Sequence, residues 1–267
     1  MRLIRKGGAP IIVGGFYRSG TTLLRRFLDA HSKIHCPPEI KFFRDFYGNY
    51  FDDDLSHIRY FTTLRTIGLD EETLLDIHGQ AFIRSHEAAM RSFGKARWAD
   101  KNPENLLYLD RWFALLKGKM VFLFVVRDPL DTLASLLEVG FPKTIPAAFD
   151  EKIDLLITYI ERGISFWQSH PECTLLVKYE ELVTSPQSEL TRLFEFVGEK
   201  FEARVLTEFR SSDRGRGIED PKILLEGNVH TRSIGRGRID LQPEQAERVA
   251  SRCGPIFEKI GYRTAAL

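Results

Sequence analysis

The residues best suited to chemistry lie near the start of the chain, in Gly14-Gly-Phe-Tyr-Arg18-Ser19-Gly20-Thr21-Thr22-Leu-Leu24. A short apolar run, Ile11 to Gly15, precedes them, and a helical pattern from about Gly20 to Ala30 follows. Strand, tight turn and helix in that order aim the backbone N–H groups of Ser19, Gly20, Thr21 and Thr22 at one point, and the helix dipole adds partial positive charge there. The expected product is an anion site, with Arg18 as a cation on the other side of the loop. Gly15 to Thr22 also has the outline G-x-x-x-x-G-x-[ST] of a nucleoside-triphosphate loop. Such a loop needs lysine after its second glycine to reach the terminal phosphates, and Thr21 stands there instead. The plain alternative is a glycine turn with Arg18 solvated.

A second constellation lies in Val121-Phe-Leu-Phe-Val-Val-Arg127-Asp-Pro-Leu-Asp-Thr-Leu-Ala-Ser135. The apolar run reads as a buried strand, with Arg127 at its carboxyl end, where open α/β sheets bind ligands. A helix started by Pro129 would carry Ser135 about two turns further on, near the same face. A guanidinium and a hydroxyl converging there suit a phosphate monoester. Taken alone, the same residues also fit a strand-end Arg127–Asp128 ion pair and a helix-surface serine.

Arg18-Ser-Gly-Thr-Thr-Leu-Leu, its continuation Arg25-Arg-Phe-Leu-Asp-Ala-His31 and then Cys36-Pro-Pro-Glu39 resemble sulfotransferases that use 3′-phosphoadenosine 5′-phosphosulfate (PAPS). The likeness is nearest to tyrosylprotein sulfotransferases and related bacterial enzymes, and it recurs at four later places. It implies that Arg18, Ser19, Gly20, Thr21 and Thr22 hold the 5′-phosphosulfate. It further implies that Arg127 and Ser135 bind the 3′-phosphate of PAPS and of the product, 3′,5′-ADP. By the same resemblance Glu39 is the general base, while Lys101, in Ala99-Asp-Lys-Asn-Pro103, stabilises the leaving group. Lysine stands where cytosolic small-molecule sulfotransferases have a histidine base, which favours Glu39; His31 and His35 are rival bases. Plainer readings make Glu39 an exposed residue ahead of a helix and Lys101 the partner of Asp100 at the surface. The family's chemistry needs no metal, and the sequence shows no metal-ligand spacing.

Asn228-Val-His-Thr-Arg-Ser233-Ile-Gly-Arg236-Gly237-Arg238 resembles the family's last donor-binding segment. The likeness implies that Ser233 contacts the sulfate end and that Arg236, Gly237 and Arg238 close over the 3′-phosphate. The aromatic residue usual two positions after the serine is replaced by Gly235, which puts the local stacking contact in doubt. Tyr179, after the last predicted strand, is either part of an adenine pocket or a packing aromatic. The aromatic run Ile40 to Phe51 is either an acceptor pocket or, as helical aromatics more often are, core.

These residues must be positioned by alternating strands and helices. Predicted strands are Ile11–Gly15, Arg97–Asp100, Met120–Val126 and Thr174–Lys178, with Ile34–Cys36 a short fifth. Predicted helices include Pro103–Leu116, Pro129–Leu137, Ile145–Gln168, Ser188–Val197 and Pro243–Ile260. The pattern predicts a three-layer α/β fold of the P-loop, nucleotide-kinase-like type: a parallel sheet of about five strands with helices on both faces. All 267 residues are expected to form one domain, with the Gly- and Arg-rich stretch from Phe209 to Asp240 as a functional loop.

Hydrophobic residues at 43%, charged residues at 28% and a net charge of +1 describe an ordinary globular chain and give no support to nucleic-acid binding. Three dispersed cysteines argue against a disulfide framework. No segment reads as a signal peptide or a membrane span, so a cytoplasmic location is expected. The acceptor hydroxyl could belong to a peptide tyrosine, a sugar, a lipid or a small phenol. A phosphotransferase with a degenerate loop and a non-catalytic 3′,5′-ADP-binding protein are the competing functions.

Overall fold

The computed structural model describes residues 7–47, 55–139, 144–210 and 229–262. Five parallel strands form one sheet: β1 (Ile11–Gly15), β2 (Ile34–His35), β3 (Arg97–Lys101), β4 (Val121–Val126) and β5 (Thr174–Lys178), in the order β2-β3-β1-β4-β5. β1 occupies the centre, with Ile11 opposite Ala99 on one side and Val121 on the other. Because every strand runs the same way, all five carboxyl ends meet along one sheet edge. β4 is apolar at every position, as a strand covered on both faces must be, and all six of its residues are buried.

Alternate strand residues feed two cores. Ile12, Phe122, Phe124 and Val126 join one core with helices α3 (Glu71–Ser92), α4 (Leu109–Leu115), α5 (Pro129–Val139), α6 (Phe149–Ser169) and the C-terminal helix Pro243–Glu258. Ile11, Val13, Val121, Leu123 and Val125 face the other, with α1 (Thr21–Ala30), α7 (Tyr179–Thr184) and α8 (Pro186–Val197). The expected three-layer α/β architecture is therefore present.

Element boundaries differ from expectation in instructive places. The helix expected from Pro103 is a 3₁₀ turn, Pro103–Tyr108, that becomes α-helical only at Leu109. The helix expected from Ile145 starts at Phe149, where Asp150 and Glu151 occupy the first turn and suit the helix dipole. α2 (Leu55–Thr66) and α3 were not legible in the hydrophobic pattern. In the 22-residue α3 only the narrow stripe Leu74, Gly79, Phe82 and His86 is buried. A start signal was nevertheless available: Asp70 accepts from the Thr73 N–H ahead of Glu71 and Glu72. Phe42, Phe43 and Tyr47 pack in the core, in a π-helical turn over Phe42–Tyr47. Residues 48–51 of that aromatic run, and residues 211–228 of the Phe209–Asp240 stretch with Asn228, lie outside the described residues. All three cysteines are buried, and none forms a disulfide among the described residues.

Candidate active site

Each carboxyl end of the sheet delivers one of the residues singled out above: Arg18 follows β1, Glu39 follows β2, Lys101 ends β3, Arg127 follows β4 and Tyr179 follows β5. The chain turns sharply after β1, where the Ser19 N–H donates to the Phe16 carbonyl at 3.2 Å. Arg18 (φ 67°) and Gly20 (φ 94°) both adopt left-handed backbone. For arginine this costs of order 1 kcal/mol, a strain that concentrates at functional sites. Gly20 is required twice over, because a Cβ there would also lie 2.4 Å from Tyr179 Cδ2. Helix α1 starts at Thr21 without a side-chain cap, so its first N–H groups are available to an anion.

Arg127 is 5% exposed, and burial lowers its pKa from the ordinary arginine value. Its Nη1 donates to the Arg18 carbonyl at 3.0 Å and its Nη2 to the Ser233 carbonyl at 2.6 Å. The guanidinium lies over the Tyr179 ring, 4.6 Å from its centroid, while buried Nε has no hydrogen-bond partner among the described residues. A buried cationic donor left unsatisfied is expensive unless something anionic completes it. Arg18 Nε donates to Ser135 Oγ at 3.0 Å, so Arg18, Arg127, Ser135 and Tyr179 form one cluster beside the α1 amino end. The strand-end pair with Asp128 does not form: Asp128 instead accepts the Leu130 and Asp131 N–H groups at the start of α5.

A second cluster lies toward β2 and β3. Lys101, 1% exposed, donates to Glu39 Oε1 at 2.7 Å and to Thr22 Oγ1 at 3.3 Å, rather than pairing with Asp100 at the surface. Asp100 is buried as well and accepts from Asn102 and Asn105. Glu39 Oε2 pairs with Lys41 at 3.1 Å. Lys41 also reaches Glu104 Oε1 at 3.2 Å, as does Arg44 Nη1 at 2.9 Å, and the Tyr17 hydroxyl donates to the same carboxylate. Burial would raise the Glu104 pKa, but Lys41, the Tyr17 hydroxyl and Arg44 outweigh it and hold the carboxyl below its usual range.

The histidine rivals are engaged elsewhere. His31 stacks on Phe194 and bonds the Lys200 carbonyl at 3.0 Å, and His35 stacks on Phe93 beside Asp29. Ser233 meets Arg127 through its carbonyl. Arg236 is paired with Glu138 at 2.8 Å and with Asp240 at 2.6 Å, whereas Gly237 is buried and Arg238 exposed. Sequence reasoning missed Lys41, Arg44, Glu104 and Asp131. Two carried a signal: Glu104 belongs to the same Lys-Asn-Pro-Glu run as Lys101, and Lys41 follows Glu39 by two positions. Among the described residues, no group of three His, Cys, Asp or Glu side chains is arranged to hold a metal ion, and no helix is long and apolar enough to cross a membrane.

Comparison with known proteins agrees with this geometry. A putative protein-tyrosine sulfotransferase of Caenorhabditis briggsae is 23% identical over 264 residues, covering 96% of this chain and 90% of that protein. Protein-tyrosine sulfotransferase 2 of Gallus gallus is 29% identical, covering 94% of this chain and 69% of the relative. Among solved structures, the sulfotransferase domain of the Synechococcus PCC 7002 olefin synthase superposes with a TM-score of 0.66 at 19% identity, covering 95% of this chain and 94% of that one. A mouse sulfotransferase complexed with PAP superposes with a TM-score of 0.54 at 15% identity, covering 94% and 84%. The family model described as "Sulfotransferase family" matches residues 10–203. The chain belongs to the sulfotransferase family and is a sulfuryl-transferring enzyme close to the tyrosylprotein sulfotransferases.

Proposed function

We propose that the sulfuryl donor is PAPS and that Glu39 is the base for the acceptor hydroxyl. The observation carrying the donor assignment is Arg127: a buried guanidinium held by two main-chain carbonyls, stacked on Tyr179, with Nε left to an anion. Arg127, with Ser135 and Arg18 beside it, suits the 3′-phosphate, and the first turn of α1 with Thr21 and Thr22 suits the 5′-phosphosulfate. Tyr179 offers its ring to the adenine side.

Glu39 accepts the acceptor's hydroxyl proton as that oxygen bonds to sulfur and the bond from sulfur to the bridging oxygen breaks. The departing oxygen of 3′,5′-ADP takes up negative charge, which Lys101 and Arg18 stabilise. The Lys101–Glu39 pair couples the two events. Protonation of Glu39 removes the charge that holds Lys101, freeing its ammonium to favour the Thr22 side, where the charge develops. Among hydroxyl classes, the relatives' names favour a protein tyrosine as acceptor.

Thermal shift tests the donor. 3′,5′-ADP at 100 times its Kd should stabilise the protein by about 2.7 kcal/mol, with little effect of 5′-AMP or of ATP with Mg²⁺. Equal stabilisation by 5′-AMP removes the 3′-phosphate assignment. Glu39→Gln should retain 3′,5′-ADP binding and lose transfer from labelled PAPS by about 10²–10⁴-fold. Near-wild-type transfer would show that another group is the base.

A further inference from the structure

One further side chain has a defined task in this geometry. Asp131, 1% exposed, lies in the first turn of α5. Both of its carboxylate oxygens are used: Oδ2 accepts the Gly235 N–H at 2.8 Å and Oδ1 the Gly237 N–H at 2.7 Å. The fit is close, since a Cβ on Gly237 would stand 2.3 Å from the Leu130 carbonyl carbon and 2.6 Å from the Asp131 nitrogen. Two residues before Gly235, the Ser233 carbonyl receives Arg127 Nη2.

Asp131, Ser135 and Glu138 recur at i, i+4 and i+7, so they line one face of α5. Each engages the donor cluster or the segment beside it: Asp131 the Gly235 and Gly237 amides, Ser135 the Arg18 Nε, and Glu138 the Arg236 guanidinium. The Asp131 contacts are charge-assisted, that to Gly237 buried and that to Gly235 part-buried, whereas the Glu138 contact is more exposed, so Asp131 should dominate.

We propose that Asp131 is a positioning residue for 3′-phosphate recognition, latching the Ser233–Gly237 turn onto α5 so that the Ser233 carbonyl fixes Arg127. The proposal rests on the assignment of Arg127 to the 3′-phosphate. It also makes this turn a preset wall of the donor site, already in place before nucleotide arrives. In Asp131→Asn one acceptor oxygen becomes an NH₂ facing a backbone N–H, so the turn shifts and Arg127 loses one of its two main-chain anchors.

The test is calorimetric titration of wild type, Asp131→Asn and Glu138→Gln with 3′,5′-ADP and with 5′-AMP. Asp131→Asn should weaken 3′,5′-ADP at least tenfold while leaving 5′-AMP within about twofold, and Glu138→Gln should change the ratio by less than about threefold. An unchanged ratio in Asp131→Asn overturns the proposal, as does equal weakening of both nucleotides, which marks a merely structural role. A wild type that binds both nucleotides equally overturns the donor assignment itself, and the proposal with it. Amide hydrogen exchange on the wild type gives a check that does not depend on the variant folding. Gly235 and Gly237 should be protected without nucleotide, and rapid exchange there would overturn the preset turn.

Discussion

The two halves of the site hold their cations with different kinds of hydrogen-bond partner. On the β4–β5 side, Arg127 donates to the main-chain carbonyls of Arg18 and Ser233, and Arg18 Nε donates to the Ser135 hydroxyl, so neutral groups accept these hydrogen bonds. On the β2–β3 side, Lys101, Lys41 and Arg44 are met by the carboxylates of Glu39 and Glu104. A neutral acceptor fixes a guanidinium without cancelling its charge, which suits the anion-binding role proposed for this half. Carboxylate partners balance the cations of the other half, where Glu39 Oε1 meets Lys101 and Oε2 meets Lys41. Thr22, at the amino end of α1, joins the two through Lys101.

The most severe way to break this contrast is Arg127→Ala. Removing the oriented cation should weaken 3′,5′-ADP by about a hundredfold or more, near 3 kcal/mol. Equilibrium dialysis with 3′,5′-ADP measures it, and a loss below tenfold would show that neutral anchoring of Arg127 serves packing instead.

Glu104→Gln addresses the balanced half. It leaves Lys41 and Arg44 facing an uncharged group and should cost about 3 kcal/mol in denaturant unfolding at neutral pH. A carboxyl held low in the folded state stabilises above its unfolded pKa, and that contribution is lost as the pH falls through its folded value. The variant should therefore unfold with a shallower loss of stability below the ordinary carboxylate value of 4.5. Asp128 and Glu180, behind the donor cluster, are pushed up by burial, so their contribution falls as the pH rises from the ordinary range to their raised values. Asp128→Asn should flatten that second limb and leave the acid limb intact. Identical pH profiles for the two variants would erase the distinction between the halves.

Gly20→Ala strains the turn that both halves share. With φ at 94° and the Tyr179 ring in the way, a loss of about 1–3 kcal/mol is expected by thermal denaturation, together with weaker 3′,5′-ADP binding. The smallest effect belongs to Arg236→Ala. Its guanidinium is occupied by Glu138 and Asp240 at a partly exposed site, so 3′,5′-ADP affinity should change by less than about threefold. A larger loss in titration would return Arg236 to the donor site, as the motif resemblance implied.

Much of this arrangement was legible beforehand because it depends on local order along the chain. Apolar strands ending in Arg18, Lys101, Arg127 and Tyr179 could be read one at a time, and parallel strands bring their carboxyl ends together whatever the intervening helices do. α3 was missed because a helix with one narrow buried stripe leaves little periodic signal. Glu104 and Lys41 were missed because a buried carboxylate and a lysine acquire meaning only from what lies opposite. Glu104 meets Arg44 and Tyr17 from 60 and 87 residues away in the chain.

The sequence by itself determined the fold class, the tight turn between β1 and α1 and the residues at the strand ends, since each follows from spacing within one strand–turn–helix unit. Only the tertiary structure decided their partners: Lys101 with Glu39 rather than Asp100, Arg127 with the Ser233 carbonyl, and Asp131 with the amides of Gly235 and Gly237. The physical reason is that a hydrogen bond or ion pair acts over about 3 Å, and which groups come that close is set by packing the sheet and its helices.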